Sequence, residues 1–186
     1  YVASYREGVE QVALDFLGQA HESESDALYL GDGRGGFREA SSEFGLVRVT
    51  QPMGCNFGDL DNDGWPDFYL GTGYPEYAGI MPNLLFHNQG GTRFSDVTFA
   101  AGFGHLQKGH GVSLADFDHD GDLDVFQQIG GWYPGDAFGN AFFENPGFRR
   151  HWLAVRVEGV ETNRMGVGAR IRVEFTDRDK QRVVQQ

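Results

Sequence analysis

The sequence predicts an all-β chain assembled from a repeated sheet unit. Two observations carry that expectation. An aspartate-rich loop of pattern D-x-D-x-D-G-x-x-D occurs at residues 59–67 and again at 116–124, an offset of 57 residues. Each copy is framed by short apolar runs and by turns rich in Gly, Asn or Pro, with no helical period of useful length. Recurrence at such an interval marks a repeat architecture.

The framing elements follow in order. "ALYLGDGRGGF" (27–37), "NLLFHNQGGTRF" (83–94) and "NAFFENPGF" (140–148) each read as an apolar strand, a polar turn and a Phe. The first two are followed by similar tails, "REASSEFGL" and "SDVTFAAGF", then by a linker and an aspartate loop. Each loop runs into an apolar strand, "DFYLGTG" (67–73) or "DVFQQIGG" (124–131). The opening "YVASY" resembles these strands, with Tyr1 matching Tyr69 and Phe126, so a further aspartate loop is expected upstream of Tyr1. Residues 6–26 form an insertion that accommodates a short, exposed helix.

Composition narrows the function classes. With 186 residues, 40% hydrophobic and 14% aromatic, the chain can bury one sizeable core or two small ones. A formal net charge of −12 makes nucleic acid and anionic membrane surfaces poor partners. No run approaches the ~20 apolar residues of a transmembrane helix. Cys55 is the single cysteine, which excludes an internal disulfide and reads as a small buried thiol. Charge divides the chain near residue 150: residues 1–149 carry 7 Lys and Arg against 22 Asp and Glu, whereas 150–186 carry 8 against 5. The texture changes there too. "WLAVRVEG" and "ARIRVEF" alternate apolar and polar residues, as antiparallel strands with one covered face do. The expected domains are therefore repeat sheets over 1–149 and the first part of a new antiparallel β module over 150–186. The chain opens on Tyr in mid-pattern, so an internal fragment is expected. Its partner would be the rest of its own polypeptide or adjoining subunits, which would cover its open strand edges.

The chemistry of the loops is that of a hard cation. Carboxylates this close repel one another unless a positive charge sits among them. Ca²⁺ takes six to eight oxygens at about 2.3–2.6 Å. Asp59, Asp61, Asp63 and Asp67 supply side-chain oxygens in the first loop, with the carbonyl of Trp65 between them. Asp116, Asp118, Asp120 and Asp124, with the carbonyl of Asp122, do so in the second. Gly64 and Gly121 take the sharp turn at position 6. Mg²⁺ prefers a rigid octahedron and keeps its waters, and the loops lack the His or Cys cluster that zinc wants. An EF-hand is excluded, because position 12 is Leu70 or Gln127 instead of Glu and the flanks are strands. Paired catalytic carboxylates would occupy two different environments, whereas here each loop carries the same four. No enzyme is expected.

At this point "GDLDNDGWPDFYLG" and "ADFDHDGDLDVFQ" resemble the calcium loops of FG-GAP (VCBS-type) repeats, which build β-propellers such as the integrin α-subunit head. The tail "RHWLAVRVEGVETNRMGVGARIRVEF", with Trp152, Asn163, Arg164, Gly166 and Gly168, resembles the start of an ASPIC/UnbV domain. Repeats followed by this domain are the arrangement of the cartilage acidic protein family and its bacterial relatives. The resemblance implies β-propeller blades, about two and a half where closure needs at least four, and a truncated terminal module. It implies a calcium-binding, non-catalytic scaffold that is secreted, at the cell surface or periplasmic, with two calcium sites and an extracellular protein or glycan as ligand. The alternative is a propeller that positions an enzyme or redox partner within a longer chain or complex.

Two further stretches draw interest. "GHLQKGH" places His105 and His110 five apart, a spacing able to serve a metal but more simply that of solvated loop histidines. "GGWYPGDAF" with Trp132 and Tyr133 offers a binding platform, and packing between blades is its plainer role.

Overall fold

The computed structural model describes all residues except 6, 7, 137, 149, 162, 177–179 and 186. They fall into two compact units, Tyr1–Arg150 and His151–Gln186. The described strands form four antiparallel sheets, and the described residues add only two short α-helices and one 3₁₀ turn (Tyr77–Gly79).

The first unit opens with helix α1 (Val9–Phe16), which buries none of its side chains and occupies the predicted insertion. A hairpin follows, β1 (Tyr29–Gly31) with β2 (Phe37–Glu39). Its turn is held by Asp32, whose Oδ1 accepts the amides of Arg34 and Gly36 at 2.7 and 2.9 Å. Helix α2 (Ser41–Phe44) then ends on Gly45 in the left-handed conformation. The second sheet is a four-stranded meander: β3 (Pro52–Gly58), β4 (Asp67–Thr72), β5 (Leu84–Asn88) and β6 (Phe94–Asp96). The third has β7 (Gly109–Ala115), β8 (Asp124–Ile129) and β9 (Ala141–Phe143). Adding 57 to the bounds of β3 and β4 gives those of β7 and β8. The same offset relates single hydrogen bonds. Ser41 Oγ accepts the Leu28 amide at 2.7 Å, as Thr98 Oγ1 accepts that of Leu85 at 2.9 Å. Such meanders are the sheet form of propeller blades.

Period-2 alternation places the second sheet between two cores. Phe68 and Leu70 of β4 and Phe86 of β5 pack with Ala40, Phe44 and Leu46 toward the β1–β2 hairpin. Tyr69 and Leu85 point the other way and meet Val125, Phe103 and Phe143. Strand β4 is therefore buried along its whole length. Neighbouring sheets approach through glycine: a Cβ on Gly54 would lie 1.6 Å from the His110 carbonyl oxygen. Asn56 Nδ2 donates to the Val112 carbonyl at 3.0 Å, and Tyr69 Oη to Gln127 Oε1 at 2.9 Å.

The opening residues keep the predicted register without forming a full strand. Val2 makes an isolated bridge to Ala27, and the Ser4 amide donates to Asp26 as the Thr72 amide donates to Asn83. Three expectations need correction. Cys55 is exposed, because it sits on the outward side of the alternating strand β3. "WLAVRVEG" forms no strand among the described residues, and Leu153 and Val155 stay exposed, since no second strand pairs with that segment. Trp132 is 76% exposed and is not packed between blades, although Tyr133 stacks on Tyr77 with ring centroids 5.2 Å apart. The second unit holds one hairpin, β10 (Val173–Thr176) with β11 (Arg182–Gln185), so only the end of "ARIRVEF" is strand. No described helix is long and apolar enough to cross a membrane.

Candidate metal centres

Both aspartate loops lie in the first unit, each joining the first two strands of its sheet. Their backbones fold alike because the same aspartates accept the same amides. Asp59 takes Asp63 N at 2.9 Å on Oδ1 and Gly64 N at 2.7 Å on Oδ2. Asp116 takes Asp120 N at 3.0 Å and Gly121 N at 3.1 Å. Asp63 accepts Trp65 N, and Asp120 accepts Asp122 N. The turn needs left-handed residues at two places: Asn62 (φ 54°) and Gly64 (φ 93°) in the first loop, His119 (φ 66°) and Gly121 (φ 96°) in the second.

The position-9 aspartates anchor each loop to its sheet. Asp67 accepts Leu60 N at 3.0 Å and Asn88 N at 2.8 Å. Asp124 accepts Phe117 N at 3.1 Å and Asn145 N at 2.8 Å. Asn88 and Asn145 close the motif a second time, through side-chain amides that donate to the carbonyls of Pro66 and Leu123. These two asparagines were not foreseen as site residues. Their signal was present, for they stand 57 apart in "HNQGG" and "ENPGF".

Donor atoms converge in both loops. One carboxylate oxygen from each of Asp59, Asp61 and Asp67 lies within 4.8 Å of the others, and the same holds for Asp116, Asp118 and Asp120. Asp124 lies outside the second triad. The first triad fits a cation on an independent observation: Asp61 is only 8% exposed, and its buried Oδ1 has no hydrogen-bond partner. An oxygen of that kind is costly to bury unless something positive meets it. Burial raises the Asp67 carboxyl to about 6, above its ordinary 3.8. Burial also raises Asp59, with the charges of Asp63 and Asp61 adding to it. In the second loop burial and the Asp120 carboxylate raise Asp122. Asp118 and Asp120 are exposed.

Two basic side chains already face the first loop. His87 Nε2 of β5 lies 3.3 Å from Asp61 Oδ2, and Arg150 reaches Asp61 at 3.2 Å and Asp63 at 3.8 Å. The loops also touch each other. Asn62 Nδ2 donates to the Gly121 carbonyl at 3.1 Å and to the Asp122 carboxylate, and Asn145 Nδ2 donates to the Leu60 carbonyl at 2.7 Å. Trp65 is half-exposed against Gly91 of the β5–β6 turn. His105 and His110 belong to no metal-binding group among the described residues.

A protein of repeated antiparallel sheets with paired acidic loops is the class these features define. Residues 13–70 match the family model of the FG-GAP-like repeat, which supports that repeat family for the chain. Over 133 residues, 71% of its length, the chain is 32% identical to cartilage acidic protein 1 of Mus musculus and of Homo sapiens. Over 134 residues it is 30% identical to cartilage acidic protein 1 of Xenopus tropicalis. The matched region spans only 18–19% of the length of these relatives.

Proposed function

We propose that the chain is a calcium-binding, non-catalytic part of an extracellular scaffold, in which Ca²⁺ rigidifies the tips of the two aspartate loops. The observation that carries the reading is the orphaned Asp61 Oδ1 inside a triad of converging carboxylates. The two all-carboxylate triads support calcium over softer ions. Asp59, Asp61, Asp63 and Asp67 would hold one ion with the Trp65 carbonyl; Asp116, Asp118, Asp120, Asp124 and the Asp122 carbonyl would hold the other. The similarity to cartilage acidic protein 1 supports an extracellular setting, with the second unit as the beginning of an ASPIC/UnbV module. The remainder of a longer polypeptide, or an adjoining subunit, is the partner this reading assigns to the open sheet edges. Calorimetric titration should find two calcium ions per chain, with Asp59→Ala and Asp116→Ala each removing one. A chain that takes up no calcium, or two variants that both keep two ions, would sink the reading.

A further inference from the structure

Beside the all-carboxylate triad lies a second donor set that the loop sequence alone does not reveal. Asp61 and Asp63 face His87, which reaches them from β5, and one donor atom from each residue lies within 4.8 Å of the others. The separation of His87 Nε2 from Asp61 Oδ2 is 3.3 Å. That is close to the ~3.4 Å edge of a tetrahedron of ligands about 2.0–2.1 Å from one ion. Two atoms of the set, His87 Nε2 and Asp61 Oδ1, are buried without a hydrogen-bond partner. Asp61 itself is 8% exposed. A bound cation would satisfy both atoms at once.

We propose that Asp61, Asp63 and His87 form a site for a zinc-class divalent ion, in the first loop only. An imidazole nitrogen with two carboxylates suits zinc, whereas calcium takes oxygen alone. The repeat register explains the restriction. The residue 57 positions after His87 is Glu144, and the triad of Asp116, Asp118 and Asp120 has no nitrogen donor. A cavity of about 710 Å³ opens beside the site, with Asp61, His87 and Glu144 in its wall among apolar residues such as Phe103 and Phe143. It leaves room for a water or small ligand at the position that three protein ligands leave open. Arg150 lies on the same carboxylates, but its side chain is 38% exposed and can withdraw into solvent as the ion enters.

The test is a zinc titration of the calcium-stripped 186-residue chain by calorimetry, with circular dichroism as the check on folding. His87→Ala should weaken zinc binding at least tenfold, and His110→Ala, at a histidine outside every metal-binding group among the described residues, should leave it unchanged. Should His87→Ala fail to fold, the unmodified chain still decides: zinc should shift the ring NMR resonances of His87 more than those of any other histidine. Unchanged zinc affinity in His87→Ala, an equal loss in His110→Ala, or a shift centred on another histidine would overturn the proposal. The zinc set shares Asp61 and Asp63 with the calcium reading, but failure of that reading would appear separately, as an absent calcium response in the unmodified chain.

Discussion

Asp61→Ala separates a calcium staple from an ordinary acidic turn. In calcium at a hundredfold its dissociation constant, an ion held by the first loop adds about 2.7 kcal/mol of stability. Removing one of three converging carboxylates forfeits most of that. In excess chelator the balance differs. The Asp61 carboxylate carries a buried oxygen without a partner, a burden of roughly 1–3 kcal/mol, and it faces Asp59 and Asp67. Against this stand its contacts with His87 at 3.3 Å and Arg150 at 3.2 Å. The Arg150 side chain is 38% exposed, and a pair so solvated contributes about 0–1 kcal/mol. The substitution should thus be near neutral or mildly stabilising without calcium. A domain of this size shifts by roughly 2–4 °C per kcal/mol. The expected fall in melting temperature is then about 5–10 °C in calcium and no more than about 2 °C in chelator. Thermal melts followed by circular dichroism in both buffers read the difference directly. Equal shifts in the two buffers would refute a structural ion at Asp61.

Three other outcomes are expected. Gly54→Ala should cost well over 4 kcal/mol or abolish folding, since its Cβ would lie 1.6 Å from the His110 oxygen and such a clash belongs to the exceptional tail of substitutions; a soluble variant melting within a few degrees of the parent would contradict the close approach of β3 and β7. In chelator, the stability contributed by Asp67 should be fully present below about pH 4 and be lost as the pH rises through 6. The folded chain holds the Asp67 proton up to about 6, against an ordinary 3.8, so the native state binds that proton more tightly than the unfolded chain. A chelated chain that gains stability over this range would show the sign to be wrong. Asn145→Ala should weaken calcium at both loops, because its side chain bonds the Leu60 and Leu123 carbonyls; a loss confined to one ion would break that link.

The repeat was legible because its parts are local. Loop, strand and turn each announce themselves within a dozen residues, and the offset between Asp59 and Asp116 carries through to β3 and β7, β4 and β8. The alignment of Tyr1 with Tyr69 held for the same reason: Ser4 finds Asp26 just as Thr72 finds Asn83. What the sequence did not disclose comes from across the fold. His87 and Arg150 reach Asp61 from positions 26 and 89 residues downstream, so no spacing rule within the loop could name them. Alternation misled at Leu153 and Val155, because a periodic pattern makes a strand only where a neighbour supplies the ladder. Cys55 misled for a related reason: a strand alternates, and a thiol on the outward side stays in solvent whatever its usual preference.

The two kinds of aspartate within each loop have different work. Asp67 and Asp124 each accept two backbone amides, one at the start of the loop and one at the end of the third strand (Asn88) or just past it (Asn145). Those bonds are made without any ion, so the loop is tied to its blade before calcium arrives. Asp61 makes no such backbone bond among the described residues; its partners are the side-chain ends of His87 and Arg150. On the calcium reading, the ion would act at the loop tip and not at its root. Chelation on this reasoning should loosen positions 1 to 5 of each loop while leaving β4 and β8 paired. The two tips should also respond together, because Asn62 of one donates to the Gly121 carbonyl of the other at 3.1 Å. Repulsion among the carboxylates, if held in check by a removable ion as proposed, would then be a means of changing the stiffness of the junction between adjacent blades.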